Sequence, residues 1–358
     1  MELHIFQASG RVAGCTSFFV CRRVALRLSH LFLRSMLCVA SLATSHSGAL
    51  ALEPGDIFVV TQAAGNVYRV DPQTGNRSLL SSGGDLQNPS HVLFDEQGRL
   101  LTAERSFGGI VRVHPVTGAQ DVVASGGILG TPVALDFDLS GDLVVATREE
   151  TLVHVDLASS TQSLITNVFD MFSMQDVDVD ASGNYVVLDF GSFGSPNGRI
   201  IKVDADTLQQ TTIASGGMLF NPADLLIDSS GNFIVSNRGG GSGTQILRID
   251  ATTGDQFLLA DLTSEGFIAF ENESTIIYAD FNSDSLSRVN LATGASTVFS
   301  TGSFEHNATG VIVFRPVPEP TSAALVAICA VFVTVFNWRT VLCRPDRKVI
   351  SIGKALAN

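Results

Sequence analysis

The chain has 358 residues, with 35 acidic against 22 basic side chains, a formal charge of −13 and 45% hydrophobic residues. That apolar content excludes a disordered polymer. The charge is unevenly spread: five arginines precede residue 52 and five basic residues follow residue 338, which leaves 12 basic against 32 acidic side chains over 52–316. A body near −20 repels phosphate backbones, so nucleic acid is excluded as a partner.

Residues 1–51 read as an export leader. Arg22, Arg23, Arg27 and Arg34 supply a positive segment, 36–43 (MLCVASLA) a short apolar one, and Ala49-Leu50-Ala51 a small-x-small cleavage site before Leu52. Cys15, Cys21 and Cys38 belong to this leader and Cys329 and Cys343 to the far end of the chain. The body therefore has no cysteine, and neither a disulfide nor a thiolate metal site can form there.

Residues 52–316 carry one pattern six times. Short stretches of alternating apolar and polar residues end at Asp71, His114, Asp156, Asp204, Asp250 and Asn290, at spacings of 43, 42, 48, 46 and 40, and four are followed by Thr-Gly. Before each comes an apolar strand, a tight turn and a second apolar strand, as in Val92-Leu-Phe-Asp95 with Gly98 or Leu225-Leu-Ile-Asp228 with Gly231. Asp bonds its own backbone two residues on, and Gly accepts the positive φ of such a hairpin. A period in the low forties without helical periodicity predicts an all-β propeller. The first strand of the body, 55–60, matches the second strand of a repeat, and the last, 310–314, matches a first strand. Together they predict a six-bladed ring closed by its two ends, leaving no open sheet edge. The body resembles NHL-type propellers, on the Asn-Pro…Asp-x-x-Gly-Asn pattern of 221–232 and its relatives. More loosely it is similar to the gluconolactonase and virginiamycin B lyase propellers.

Residues 317–358 form a three-part tail. Val317-Pro318-Glu319-Pro320 breaks the chain from the body, a membrane helix is expected over 321–338, and a basic cluster begins at Arg339. This order resembles the PEP-CTERM sorting signal of Gram-negative bacteria. The resemblance implies export, transient anchoring in the inner membrane through the helix, processing by an exosortase-type enzyme near Pro318, Glu319 and Pro320, and delivery to the cell surface or the matrix. Exopolysaccharide or an envelope protein would be the partner there.

Within the predicted ring, the start of each inner strand and the end of each second strand share one mouth of the central channel. Counting from the hairpin glycines places His91, Asp176 and Asp224 at the first position, and Glu104, Asp189, Asn237 and Asp280 at the second. Oxygen ligands with one imidazole suit a divalent cation such as Ca²⁺, Mg²⁺ or Mn²⁺. Asp can equally bond backbone at a blade junction, a role that fits Asp189 and Asp280 best, whereas His91, Asp176 and Asp224 stand where a small residue usually fits. The longer loops over 191–198 and 239–243 lie on the same mouth, as binding loops do. Asp71, Asp156, Asp204 and Asp250 read as turn formers, and His114 and His154 as surface strand residues. No Gly-x-Ser-x-Gly elbow, phosphate loop or Cys/His cluster occurs. The expected function is therefore an exported binding module of the envelope or matrix. The alternative is a metal-dependent lactonase or lyase on sugar-like substrates, with Glu104, Asn237 and Asp224 the residue types that the gluconolactonase resemblance implies around its ion.

Overall fold

Period-two alternation along segments of five to seven residues, punctuated by Asp-x-x-Gly and Thr-Gly turns, gives strands that each have two faces to bury. The computed structural model describes residues 51–63, 65–168, 171–238, 243–305 and 307–316, and over them these strands form six four-stranded antiparallel sheets. The expected leader over 1–50, residues 239–242 of the second loop, and the whole tail with Pro318, Glu319, Pro320 and its helix lie outside the described residues. Among the described residues the one helical element is a 3₁₀ turn, Gly127–Leu129, and no helix is long and apolar enough to cross a membrane.

The inner strands of blades 2 to 6 are Pro89–Phe94, Pro132–Phe137, Met174–Val179, Pro222–Ile227 and Gly266–Asn272, each leading outward through the sheet in chain order. Blade 1 is built from both ends of the body: Ala308–Val313 is its inner strand, and it pairs antiparallel with Ile57–Thr61 from Ile57 opposite Val313 to Thr61 opposite Ala308. Ala308–Val313 also packs on Gly266–Asn272 and on Pro89–Phe94, so the ring is closed. Six apolar clusters fill the six interfaces between successive blades. One joins Ile57, Val59 and Val70 of blade 1 to Ile277, Ala279 and Leu286 of blade 6, and another joins Val187 and Val203 of blade 4 to Val144 and Leu152 of blade 3.

Each blade carries a fourth, outer strand that the sequence pattern did not predict: Arg77–Ser82, Gln120–Ser125, Gln162–Asn167, Gln210–Ser215, Gln256–Leu262 and Ser296–Ser300. In every blade its register against the third strand shifts by one residue partway along. A bulge of this kind twists an exposed edge away from pairing with another sheet.

The repeat motifs have distinct structural jobs. Asp71, Asp156 and Asp250 follow the third strand and each accepts two backbone amides of the next turn. His114 occupies the same place in blade 2, where its Nδ1 stands in for the carboxylate oxygen and accepts from Val116 and Thr117. The mid-strand basic side chain reaches the turn acid of its own blade in Arg112–Asp95, His154–Asp138, Lys202–Asp180, Arg248–Asp228 and Arg288–Glu271. The Thr-Gly glycines bring each turn onto the outer strand of the preceding blade. Gly118 has φ 69°, and a Cβ there would overlap the Leu80 carbonyl oxygen. Gly118→Ala should therefore cost about 1–3 kcal/mol, from left-handed strain and the forced retreat of that neighbour. A urea titration with an unchanged slope and a lower midpoint is the expected result.

Candidate functional site

The outer edge of a blade is exposed to solvent, but the inner edge faces the channel, and its amides and carbonyls must find partners there. On one half of the ring, aspartates of each blade accept amides of the next. Asp136 Oδ2 takes Val179 N at 2.7 Å, Asp176 Oδ2 takes Leu225 N at 2.8 Å, Asp178 Oδ2 takes Ile227 N at 3.1 Å, and Asp224 Oδ2 takes Ile268 N at 2.7 Å. On the other half, hydroxyls donate to the neighbour's carbonyls: Thr309 to Pro89 O and Ser90 to Val133 O. The channel wall is thus sewn by side chains across five of its junctions.

His91 stands where this series would place another aspartate, and it does not continue it. Its Nδ1 is buried without a hydrogen-bond partner, while its Nε2 lies 3.7 Å from Asp176 Oδ1. His91, Asp176 and Asp224 each offer a ligand atom, and these atoms all lie within 4.8 Å of one another. Donors so spaced can share one cation at the 2.3–2.6 Å typical of Ca²⁺ and oxygen, and two carboxylates with an imidazole are an acceptable donor set for Ca²⁺, Mg²⁺ or Mn²⁺. His91 and Asp224, with Asp136 and Asp178, border a channel cavity of about 130 Å³ that is also lined by Phe270 and by Arg315, whose guanidinium lies over the Phe270 ring.

The electrostatics are unusual. Burial pushes the carboxyls of Asp178 and Asp224 well above the ordinary range and raises Asp136 to about 6, with mutual repulsion adding to burial in all three. Burial pushes the His91 imidazole down, against the attraction of Asp176. Neutral acid is the stable form of a carboxyl crowded in low dielectric, unless a cation arrives.

The structure brings His91, Asp176 and Asp224 together and gives the other four expected residues different work. Glu104 Oε2 accepts the amides of Gln87 and Asn88, which lead into its own blade. Asp189 accepts from the amides of Phe172, Ser173 and Gly191 and is held by both Nε and Nη2 of Arg199. Asn237 accepts from Phe220 N and donates to Met218 O, and Asp280 accepts from Ser264 Oγ and the amides of Asn282 and Ser283. All four clasp a loop at the end of their second strand, so they do not share the space of the trio. Of the residues named for the lactonase alternative, Glu104 Oε2 and Asn237 hold loop backbone, and Glu104 Oε1 is buried without a hydrogen-bond partner among the described residues. Sequence reasoning passed over Asp136 and Asp178. Both stand two residues beyond the first-position residues on the same inner strands, and that spacing alone would have found them.

A larger groove, about 620 Å³, lies on the opposite face, walled by Leu52, Phe94, Leu139, Phe314 and the turns of blades 2 and 3. Its acids Asp95 and Asp138 are consumed by turn amides and ion pairs, and Glu96 is an exposed acid on its wall, so it gathers no cluster of the trio's kind.

No protein-family model and no curated protein matches the chain. Among solved structures it is similar to a chain of the nidogen/laminin complex, with 13% identity and a TM-score of 0.63 over 73% of this chain and 98% of that one. It is also similar to TolB from Acinetobacter baumannii, with 14% identity and a TM-score of 0.57 over 72% of this chain and 66% of that one. At these identities the likeness is one of fold, a six-bladed β-propeller.

Proposed function

We propose that this propeller is an exported binding protein of the cell envelope or extracellular matrix, sorted by an exosortase-type enzyme, with its ligand site at the channel mouth around His91, Asp176 and Asp224. The observation that carries the site is the convergence of these three side chains within 4.8 Å, while Glu104, Asp189, Asn237 and Asp280 hold loops of their own blades. A propeller fold fits a binding role, and one structural neighbour comes from the nidogen/laminin complex. The sorting part of the reading rests on Pro318, Glu319 and Pro320 with the apolar and basic segments after them.

The trio would hold one divalent cation, Ca²⁺ or Mg²⁺, through one oxygen each of Asp176 and Asp224 and a ring nitrogen of His91. A cation that binds only the folded state stabilises it by about 2.7 kcal/mol at 100 times its Kd. Millimolar Ca²⁺ should thus raise the melting temperature by a few degrees, reversed by chelator and absent from the Asp176→Asn, Asp224→Asn double variant. A response shared by every divalent salt and retained in that variant would refute the cation site. Intact-mass measurement on protein from its native host tests the sorting reading: loss of 1–51 and of the residues beyond about 320 is expected, and a soluble released form that keeps 323–336 would overturn it.

A further inference from the structure

In a domain this acidic, basic side chains should find carboxylates, and eight of its twelve do: Arg69, Arg99, Arg112, Arg199, Lys202, Arg238, Arg248 and Arg288 are ion-paired. Arg77 donates to the carbonyls of Asp284 and Gly302, and Arg315 lies over Phe270. The two left over are Arg105 and Arg148. Among the described residues neither guanidinium makes a hydrogen bond or an ion pair, and the buried Nε of Arg105 has no partner.

These two are structurally equivalent. Arg105 follows the second strand Leu100–Glu104 of blade 2, Arg148 follows Leu143–Thr147 of the adjacent blade 3, and each donates its amide to the loop entering its own blade, at Asn88 O and Thr131 O. That position is the rim of the mouth. Burial, and then repulsion from Arg148, lowers Arg105 to about 10. Arg148 is exposed and Arg105 half-buried, so the pair sets two guanidinium groups at the rim with no anion between them among the described residues. An arginine pair presents forked donors that match a carboxylate.

Resting on the mouth as the ligand site, we propose that Arg105 and Arg148 seat the carboxylate of an acidic sugar, whose hydroxyls then donate to Asp176 and Asp224 below. A sugar, rather than an acidic peptide, is favoured by two further features. The groups beneath the arginines are the side-chain oxygens of Asp176 and Asp224, which accept from hydroxyl donors. On the same mouth, blade 4 exposes the rings of Phe172 (61% exposed) and Phe193 (80% exposed), the latter stacked on Phe190, and an exposed ring is a platform for the apolar face of a pyranose.

The test is calorimetric titration of the full chain with trigalacturonate, uncharged galactotriose and triglutamate. Trigalacturonate should bind at least tenfold more tightly than galactotriose at low ionic strength, a preference that weakens with salt. Arg105→Gln with Arg148→Gln should remove that preference and leave the melting temperature and galactotriose binding unchanged. Loss of binding to both sugars in Asp176→Asn with Asp224→Asn, together with that result, supports the full arrangement. If the aspartate pair abolishes binding but the arginine pair changes nothing, the anion seat is overturned and the mouth stands as the ligand site. If neither pair matters, both are overturned. Triglutamate binding as tightly as trigalacturonate, through the same arginines, would overturn the sugar assignment.

Discussion

Removal of Ala308–Val313 is expected to abolish the cooperative unfolding transition of the domain, not merely to lower its midpoint. This strand is the inner edge of blade 1, hydrogen-bonded along Ile57–Thr61 and packed on the inner strands of blades 2 and 6. Ala308, Val311 and Val313 are buried in the cluster that joins blades 1 and 6. Without it the ring opens two edges, and the amides of Ile57–Thr61 face the channel unpaired. The lost burial and pairing are comparable with the whole 5–15 kcal/mol that keeps a domain folded. Calorimetry of the truncated protein should show no sharp endotherm, and limited proteolysis should degrade all six blades together. A truncated chain that melts at the parental temperature would refute closure by this strand.

The second large effect is an inverted pH dependence. A carboxyl whose pKa is higher folded than unfolded binds more protons in the folded state. Its stabilisation is complete below about 4 and is lost as pH rises through the folded value. Asp136 does this between about 4 and about 6, and Asp178 and Asp224, raised further, continue the loss at higher pH. His91, whose folded pKa is lowered, works the other way: its contribution is lost as pH falls below the unfolded value near 6.5. Three carboxyls outweigh one imidazole. Without divalent metal, the melting temperature should rise by several degrees between pH 8 and pH 5, before the turn aspartates are protonated in more acid solution: Asp71, Asp156 and Asp250, held low by backbone amides, and Asp204, held low first by the Thr207 hydroxyl. Asp178→Asn with Asp224→Asn should flatten the profile by raising stability at pH 8, and saturating Ca²⁺ should flatten it in the parent. A melting temperature that falls steadily from pH 8 to pH 5 in chelator would contradict the buried, mutually repelling arrangement.

The propeller was legible because alternation and turn chemistry repeat six times, and because the strands at 55–60 and 310–314 are complementary fragments of one repeat. The outer strand was not. Its exposed positions, such as Leu79, Val122 and Leu164, break the alternation, and what holds it is a clasp between blades. Gln120 Oε1 accepts from Asp85 N while its amide donates to Gly83 O, and Gln256 repeats this with Met218 and Gly216. The signal was present as Ser-Gly-Gly three times, at 82–84, 125–127 and 215–217, each answered by a Gln at the start of the next blade's outer strand. The site was half legible for a related reason. Position relative to the hairpin glycine brings carboxylates to the mouth, but it does not say which of them meet a loop amide and which meet one another. Asp189 and Asp176 are the same side chain at neighbouring depths. Only the path of the loop at 172–173 separates a clasp from a ligand.

Both ends of the body leave from one face. Gly55 N bonds Phe314 O, Phe314 N bonds Asp56 O, and Phe314 and Pro316 border the groove formed by the hairpin turns. The mouth with Arg105, Arg148 and the Phe193 ring is at the other pole of the strands. A tether joined at residue 316 would therefore start from the groove face, opposite the pole that carries Arg105, Arg148 and Phe193. Because residues 55–316 close the ring by themselves, removal of the chain past residue 316 would leave that pole unaltered.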